Sequence, residues 1–290
     1  MEDQVTVSII IPAYNEHEAI CKVLDDTIAV METLDTSYEL LVVDDGSSDD
    51  TVALCEAKAG VRVISHAQNR GTGAARTTGV RAARGEYVIM TDADGTYPAE
   101  AIPQILEELQ EHDMVIGARE KEMGTIKWLR TAAKEFIRLL ACYMTRTHIP
   151  DLNSGLRGMR RDRVLEFLPI LPTTHSWVST ITMAFLSNGY NVKWIPIAYY
   201  KRIGRSTFHP ITDTYNYLSL VVRAVMYFDP LRIFLPLSLV MFVVGLGKAI
   251  YDIITYNFHF APSTVTLLLS TVQLTAIGLL ADLIVKRSKL

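Results

Sequence analysis

Two carboxylates stand two residues apart just after an apolar run in the first third of the chain. The run Tyr87–Met90 predicts a short buried strand, and Asp92-Ala93-Asp94-Gly95 follows it after one residue. In open α/β sheets ligands bind at the carboxyl ends of strands, and carboxylates there suit a hard divalent cation that keeps positions open for phosphate oxygens. Asp and Gly are also ordinary turn residues. The motif alone therefore leaves a metal site and a simple turn both open.

Three further polar loops have the same relation to predicted strands. Residues 12–16 (Pro-Ala-Tyr-Asn-Glu) follow a predicted strand Val5–Ile11, and residues 44–47 (Asp-Asp-Gly-Ser) and 69–73 (Asn-Arg-Gly-Thr-Gly) follow two more. Strands that alternate with helices predict an α/β fold with a mainly parallel sheet, whose loops gather at one edge. Each loop alone could be a turn or a helix cap. Their common position favours a nucleotide site.

Four of these motifs, in this order, resemble family 2 glycosyltransferases with the GT-A fold. The matching runs are Val7–Glu16, Val43–Ser47, Asn69–Ala74 and Asp92–Gly95. The resemblance implies a nucleotide-sugar donor and a Mg²⁺ or Mn²⁺ cofactor held by Asp92 and Asp94. It also implies a set of nucleotide-binding positions: Pro12, Tyr14, Glu16, Val43, Asp45 and Ala93.

Two later segments resemble the polyprenyl-phosphate sugar transferases, which include dolichol-phosphate mannose synthases and undecaprenyl-phosphate glucosyltransferases. Asp151–Arg157 is similar to their Asp-x-x-Ser-Gly-Phe-Arg segment, and Lys201–Thr207 to a late Arg-Gly-Ser loop that closes over the donor. The chain departs from the pattern at three positions, Leu156 for an aromatic residue, Thr207 for Lys and Thr96 for the Gln of the mannose synthases. The substrate-segment residues implied are Asp151, Ser154, Gly155 and Ser206.

The expected acceptor is an anion, so the site must supply positively charged side chains to bind it. A polyprenyl phosphate is already charged at neutral pH, so it needs cations to approach the donor diphosphate more than it needs a general base. Arginine suits phosphate geometry. We predict Arg119 and Arg202 as catalytic residues, with Arg202 on the donor diphosphate, and Arg130 and Lys134 as acceptor-phosphate ligands. Each could instead be a surface charge.

The last quarter of the chain predicts a membrane hairpin. Residues 233–254 and 263–285 are two mostly apolar runs, each long enough at about 1.5 Å per residue to cross a hydrocarbon core of about 30 Å. Lys and Arg flank the pair but are absent from its link, so both ends are expected in the cytoplasm. We predict a catalytic domain over residues 1–212, an interfacial helix over 213–230, and two transmembrane helices within 231–290. The localisation expected is the inner membrane.

Composition and charge narrow the function further. A net charge of −4 gives no basic character for nucleic-acid binding, and three widely spaced cysteines argue against a disulfide framework. The prediction is metal-dependent, inverting transfer of a hexose from a GDP- or UDP-sugar to undecaprenyl or dolichyl phosphate. The alternatives are a membrane glycosyltransferase that extends a glycan or glycolipid, and a non-catalytic nucleotide-sugar-binding scaffold. Homo-oligomerisation is left open.

Overall fold

The computed structural model of the chain describes residues 5–119, 139, 142, 147–174, 176–203, 230–256 and 259–288. It divides into two compact units, Met1–Leu218 and Ser219–Leu290. The expected interfacial helix over 213–230 lies outside the described residues except for Pro230. The domain limits at 212 and 231 stay predictions.

The described part of the first unit is built on a seven-stranded sheet with the strand order β3-β2-β1-β4-β6-β5-β7. Strands β1, β2, β3 and β4 are parallel to one another, and β5 is parallel to β7. The mainly parallel sheet expected from the sequence is confirmed. The strands are β1 Val7–Ala13, β2 Tyr38–Asp44, β3 Val61–Ser65, β4 Tyr87–Met90, β5 Met114–Arg119, β6 Arg157–Arg160 and β7 Val192–Ile197.

Strand β6 makes the sheet mixed. It lies between β4 and β5 and is antiparallel to both, so that Arg157 is opposite Met90 on one side and Ile116 on the other. The segment that precedes β6 is thereby brought to the carboxyl end of β4. This places residues 151–156 beside the Asp92-Ala93-Asp94 motif.

Helices cover both faces of the sheet because successive strand residues point to opposite sides. Ile9 and Ile11 of β1 pack with α1, α2 and α4, whereas Ile10 packs with α3, α5 and α6. Gly79 of α3 lies so close to Ile10 that an added Cβ would overlap with it. These helices are α1 Ile20–Met31, α2 Thr51–Glu56, α3 Thr72–Ala82, α4 Ile102–Glu108, α5 Arg161–Phe167 and α6 Trp177–Ser187.

Strand β1 extends two residues beyond its predicted end at Ile11. Pro12 and Ala13 continue the ladder with β2, opposite Val43 and Asp44. Proline is tolerated here because β4 pairs with β1 only as far as Ile10, so the missing N–H of Pro12 breaks no ladder bond on that side.

The second unit contains two long helices, α7 Leu231–Thr255 and α8 Pro262–Ser288. Both are long and apolar enough to cross a membrane, and only 17% and 11% of their most apolar windows are buried. A core helix of a soluble protein would be mostly buried, so the described outer faces fit a lipid environment. The expected two-helix hairpin is confirmed.

Small residues let the two helices of the hairpin approach closely. Gly245 of α7 faces Leu268, and an added Cβ at Gly278 of α8 would overlap with Phe234. At the turn, the buried carboxylate of Asp252 accepts hydrogen bonds from the Ala261 amide at 2.9 Å and from the Thr264 hydroxyl. The same carboxylate lies 3.4 Å from Lys248 Nζ. Asp252 therefore joins the end of α7 to the start of α8.

Candidate active site

A cavity of about 370 Å³ opens at the carboxyl edge of the sheet, where β1, β2 and β4 end. Because these strands are parallel, the loops that follow them meet at this edge. Eight of the predicted site residues line it: Pro12, Tyr14, Glu16, Asp45, Asp92, Ala93, Asp94 and Arg202. The rest of its wall consists of Ala13, Asn69, Gly71, Thr72, Ala75, Arg76 and Thr174.

These eight comprise five of the six predicted nucleotide-binding positions, the pair Asp92 and Asp94, and Arg202. The cavity therefore brings together residues that lie far apart in the sequence.

The two carboxylates of the motif are each held on one side. Arg76 of α3, only 4% exposed, donates from Nη2 to Oδ1 of Asp92 at 2.7 Å. The amide and hydroxyl of Thr96 donate to Oδ1 of Asp94 at 3.1 and 2.7 Å. Burial, and after it the charge of Asp92, raise the pKa of the Asp94 carboxyl. Thr96, which stands where the mannose synthases carry Gln, thus orients Asp94.

Arg202 lies between two acidic side chains of the cavity. Its Nη1 is 3.6 Å from Oδ2 of Asp94, and its Nη2 is hydrogen-bonded to Oε1 of Glu16. Burial raises the pKa of Glu16 to about 7, with Arg202 opposing the rise and the neighbouring aspartates adding to it. A cation held among carboxylates at this edge is placed to meet the phosphates of a nucleotide.

Two backbone hydrogen bonds hold the segment that carries Arg202. The amide of Tyr200 donates to the Thr96 carbonyl at 2.9 Å, and the amide of Ile203 donates to the Asp94 carbonyl at 3.1 Å. The Ile203 side chain also lies against Gly95, whose φ is +71°. The segment 200–203 is therefore fastened directly to the loop that contains the two carboxylates.

Asp45 organises the loop at residues 69–71. Its carboxylate, 2% exposed, accepts from the amides of Arg70 and Gly71 at 3.0 and 2.7 Å. It also pairs with Nδ1 of His66 at 2.7 Å, and Nε2 of His66 lies 2.9 Å from the hydroxyl of Thr78. An oxygen of Asp45 that accepted a hydrogen bond from a nucleoside would keep its present bonds to these groups as well. Asp45 is thus both part of the cavity wall and the anchor of the glycine loop.

The loop after β1 is tied to the loop after β2. Asn15 has a φ of 55°, and its amide donates to the Ser47 hydroxyl at 2.9 Å while its side-chain oxygen accepts from the Ser48 amide at 2.8 Å. Asn is among the residues that tolerate this left-handed backbone. The arrangement leaves the Tyr14 ring 38% exposed beside the cavity.

The segment 151–157 lies on the other side of Asp92. An added Cβ at Gly155 would overlap with the Asp92 carboxylate, and the amide of Gly155 donates to the Tyr97 hydroxyl at 2.7 Å. Arg157 is fully buried and donates to the Ser154 and Val178 carbonyls. Burial lowers the pKa of Arg157. Gly155, a residue of the predicted substrate segment, is therefore in contact with Asp92, a predicted metal ligand.

Arg119 makes a two-pronged ion pair with Asp151. Its Nε and Nη2 donate to the two carboxylate oxygens at 2.7 and 2.9 Å, and its guanidinium lies 5.2 Å from the centre of the Tyr199 ring. Burial alone would raise the pKa of Asp151, but the hydrogen bonds and charge of Arg119 outweigh it and lower that pKa.

Several predicted residues lie elsewhere. Val43 is buried against α3 and is absent from the cavity wall, and Arg119 and Asp151 pair with each other outside that wall. The Ser154 hydroxyl is buried without a hydrogen-bond partner among the described residues. Arg130, Lys134 and Ser206 lie outside the described residues.

Sequence reasoning missed Arg76 and His66, which hold Asp92 and Asp45. Arg76 lies two residues beyond the matching run Asn69–Ala74, and a charge in a helix is usually solvated. The one available signal was its position three residues before Gly79, the glycine by which α3 packs closely on Ile10 of the sheet. His66 carried no pattern at all.

Comparison with known proteins agrees with this architecture. The family model for glycosyl transferase family 2 matches residues 8–166, more than half of the chain. The chain belongs to glycosyl transferase family 2. A second family model, the GtrB C-terminal hairpin, matches residues 229–286, which include all of α7 and most of α8.

The chain matches only part of the length of its named relatives. An undecaprenyl-phosphate 4-deoxy-4-formamido-L-arabinose transferase from Sodalis glossinidius is 36% identical over 183 residues, 58% of this chain and 56% of that protein. The chain thus spans a little over half of the length of this relative. A dolichyl-phosphate beta-glucosyltransferase from Dictyostelium discoideum is 26% identical over 248 residues, 76% of this chain and 74% of that protein.

Solved structures share the fold at low sequence identity. Glucosyl-3-phosphoglycerate synthase from Mycobacterium tuberculosis in complex with UDP has a TM-score of 0.61 and 20% identity, over 76% of this chain and 80% of that one. The same enzyme with Mn²⁺, UDP and glucosyl-3-phosphoglycerate has a TM-score of 0.59 and 20% identity, over 77% and 79%. The similarity shows the GT-A fold, as expected from the sequence.

Proposed function

We propose that this protein transfers a sugar from a nucleotide diphosphate sugar to a polyprenyl phosphate at a membrane surface. The observation that carries the proposal is the position of Asp92. Its carboxylate lines the cavity at the sheet edge and also touches Gly155 of the segment 151–157. A donor in the cavity and an acceptor beside that segment would meet at this residue.

The carboxylates of the motif fit a divalent cation. Arg76 and Thr96 use Oδ1 of Asp92 and of Asp94, and the Oδ2 atom of each accepts no hydrogen bond from the described residues. No cluster of three or more acidic, His or Cys side chains able to hold a metal occurs in the described part. Mg²⁺ or Mn²⁺ held by Asp92 and Asp94 would complete its shell with water and diphosphate oxygens, and would neutralise charge on the leaving diphosphate.

The remaining cavity residues bind and orient the donor in this proposal. The exposed ring of Tyr14 offers a face for the base, and Pro12, Glu16, Asp45 and Ala93 supply the rest of the wall. Val43 supports this wall from the core behind it. Arg202 would exchange its ion pair with Glu16 for the donor diphosphate, because a guanidinium binds phosphate oxygens through paired hydrogen bonds.

The transfer itself needs no proton to be removed from the acceptor. A phosphate oxygen of the acceptor forms a bond to the anomeric carbon while the bond from that carbon to the donor diphosphate breaks, which inverts the anomeric centre. We assign Arg119 to the acceptor phosphate, with Asp151 holding its guanidinium in place. We propose, from the sequence alone, that Arg130 and Lys134 also bind the acceptor phosphate and that Ser206 belongs to the substrate segment.

The membrane hairpin supports a lipid-linked acceptor. We propose that α7 and α8 span the inner membrane with both ends in the cytoplasm, since Arg232 lies in the first turn of α7 and Lys286, Arg287 and Lys289 lie at the end of α8 or just beyond it. The active site would then lie on the cytoplasmic side, where a lipid phosphate at the bilayer surface is within reach.

The test is a transfer assay with the full chain in detergent. Undecaprenyl phosphate is offered with Mg²⁺ or Mn²⁺ and a panel of UDP- and GDP-sugars that includes hexoses and a 4-amino-4-deoxy pentose. A sugar lipid that is extracted into chloroform, and that is lost with a chelator and in Asp92→Ala, is the expected result. Donor hydrolysis without lipid product for every donor would contradict the acceptor and favour a glycan-extending enzyme.

A further inference from the structure

The peptide group between Ser154 and Gly155 is held at both of its polar atoms. Its carbonyl oxygen, on Ser154, accepts a hydrogen bond from Nε of Arg157 at 3.2 Å and another from Nη2 of the same side chain. Its N–H, on Gly155, donates to the Tyr97 hydroxyl at 2.7 Å. The C=O and N–H of a trans peptide point in opposite directions within one plane. The two contacts together therefore fix the rotation of this plane.

The rotation of the plane matters because Gly155 lies against Asp92. An added Cβ at Gly155 would overlap with both oxygens and with Cγ of the Asp92 carboxylate. The backbone of Gly155 thus forms one side of the space that this carboxylate occupies. The Arg76 guanidinium, 2.7 Å from Oδ1 of Asp92, forms another side. A turn of the peptide plane would move the acceptor-side segment relative to Asp92.

The two groups that hold the peptide belong to different parts of the fold. Arg157 begins β6, and its guanidinium also donates to the Thr182 hydroxyl of α6 at 2.9 Å. Tyr97 belongs to the loop 91–97, which carries both carboxylates of the metal motif. Among the described residues, its hydroxyl provides the one hydrogen bond between this loop and the segment 151–156. Tyr97 therefore sets how these two parts of the site lie against each other.

The ring of Tyr97 makes a separate contact on the acceptor side. It packs edge-on against the ring of Tyr199, with the ring centres 5.4 Å apart and the planes at 65°. The Arg119 guanidinium lies 5.2 Å from the centre of that same Tyr199 ring. A phenylalanine at position 97 would keep the ring contact and lose only the hydroxyl. The two contributions of Tyr97 can therefore be tested apart.

We propose that Tyr97 is a positioning residue, whose hydroxyl sets the distance between a donor bound at Asp92 and Asp94 and an acceptor bound beside residues 151–157. The proposal rests on the proposed function, since it takes the two loops to carry donor and acceptor. Reacting atoms must lie about 3–3.5 Å apart before bond formation, and a misplacement of about 1 Å can cost about a hundredfold in rate. A tie between the two loops acts directly on this distance.

The first experiment compares Tyr97→Phe with the wild-type full chain in detergent, and measures sugar lipid and free sugar from the same reaction. Water takes the place of the acceptor when free sugar forms. We expect kcat for sugar lipid to fall about tenfold or more, and the ratio of free sugar to sugar lipid to rise. The KM for the donor should change less than twofold, because the cavity wall is intact. The product ratio does not depend on the amount of folded protein.

Tyr190→Phe is the matched control. It also removes a hydroxyl that makes a 2.7 Å hydrogen bond, in this case to Oε2 of Glu166, but neither residue belongs to the cavity wall. Its kcat and product ratio should equal those of the wild type. A Tyr97→Phe chain with wild-type kcat and product ratio would overturn the proposal. An equal fall of both products would overturn it too, because it would indicate only a loss of folded protein.

A second readout needs no turnover. Amide hydrogen exchange, followed by mass spectrometry of the peptide that contains residues 151–157, reports how often this segment opens. Tyr97→Phe should speed exchange there about fivefold, the weight of one ordinary hydrogen bond, and leave the peptides of α1 unchanged. Unchanged exchange in 151–157 would overturn the link between Tyr97 and Gly155. A wild type that forms no sugar lipid would contradict the proposed function instead, and the exchange comparison would still decide whether the link exists.

Discussion

At the scale of single residues, Gly155 determines how much room the Asp92 carboxylate has. The overlap that a Cβ would make with this carboxylate predicts that Gly155→Ala displaces Asp92 and removes most of the transferase activity. Overpacking of this kind commonly costs about 1–3 kcal/mol of folding stability. Activity and thermal unfolding of the variant check the prediction.

A matched background separates the overlap from other effects of the extra methyl group. In a chain that carries Asp92→Ala the carboxylate is gone, so Gly155→Ala should then cost little further stability. An equal loss of stability in both backgrounds would show that the methyl group clashes with something other than Asp92. Such a double-mutant comparison isolates the pair because the two residues are in contact.

Arg76 is expected to act through Asp92. Arg76→Gln leaves Asp92 without the guanidinium that holds Oδ1, so we expect a higher metal concentration for half-maximal activity. Loss of one partner from a buried ion pair is also strongly destabilising, by about 3–5 kcal/mol when both groups are fully buried; here Asp92 is part-exposed and the loss should be smaller. Arg163→Gln, which removes a surface guanidinium on α5, is the control and should leave the metal dependence unchanged.

Glu16 makes the stability of the first unit depend on pH. Its pKa of about 7 in the folded chain exceeds the ordinary value of 4.5. Between pH 4.5 and pH 7 the folded chain keeps the Glu16 proton, whereas the unfolded chain has lost it. The stabilising contribution of Glu16 is therefore complete below pH 4.5 and is lost as pH rises through 7. The shift corresponds to about 3 kcal/mol at most.

The side chain at position 16 cannot ionise in Glu16→Gln, so the stability of this variant should lack the pH dependence that Glu16 causes. Relative to wild type it should gain stability between pH 4.5 and pH 8, measured by urea unfolding with a chelator present and followed by tryptophan fluorescence. A stability difference that is the same at both pH values would show that Glu16 keeps its ordinary pKa in the folded chain.

At the scale of elements, two backbone hydrogen bonds fasten the segment 200–203, which contains Arg202, to the loop that contains Asp92 and Asp94. Arg202→Gln removes the guanidinium while both bonds, from Tyr200 and Ile203, remain. We expect the KM for the donor to rise about tenfold or more, the usual weight of a hydrogen bond to a charged group. Some folding stability should also be lost, because Glu16 loses its ion-pair partner.

Lys201 provides the control for this variant. It is the exposed neighbour of Arg202, so Lys201→Gln removes the same charge from the same segment without touching the cavity wall. Similar donor KM values for the two variants would mean that the overall charge of the segment matters, and not the position of Arg202.

The elements differ in how well the sequence predicts them. Strands β1 to β4 have apolar runs that end in polar loops. Their places along the chain and the common edge of their loops followed from that pattern. Strand β6 did not, because its sequence Arg-Gly-Met-Arg has neither alternation nor an apolar run. It is a strand because β4 and β5 pair with it on both sides, and such pairing is decided by tertiary context.

The same limit applies to the site. The loops that reach the cavity were predictable from the parallel strands, which is why Asp92, Asp94 and five of the six predicted nucleotide-binding positions came together. The contacts of Gly155 with Asp92 and of Arg119 with Asp151 depend on where β6 enters the sheet, and no local pattern encodes that.

At the scale of the whole molecule, the cysteines report on the first unit alone, because Cys21, Cys55 and Cys142 all precede residue 219. Burial raises the pKa of the Cys55 thiol to about 12, and a buried thiol is inert. We expect Cys55 to resist alkylation in the folded chain at pH 8 and to react only when the first unit unfolds.

The measurement is alkylation followed by mass spectrometry of the peptides, with the chain kept in bilayers. Cys21, which is partly exposed, serves as the internal control for reagent access. Alkylation of Cys55 at a rate close to that of Cys21 would contradict the packing of α2 on the sheet.

The insertion of β6 between β4 and β5 has a consequence for synthesis on the ribosome. A nascent chain that ends before residue 157 has both neighbours of the missing strand but nothing to pair with their facing edges, and unpaired edges are prone to aggregation. The sheet closes only after residues 157–160 emerge, and Gly155 reaches Asp92 in the same event. The order of translation therefore delays a working active site until residues 157–160 and then Arg202 have been made, and the apolar hairpin follows from Leu231 onward.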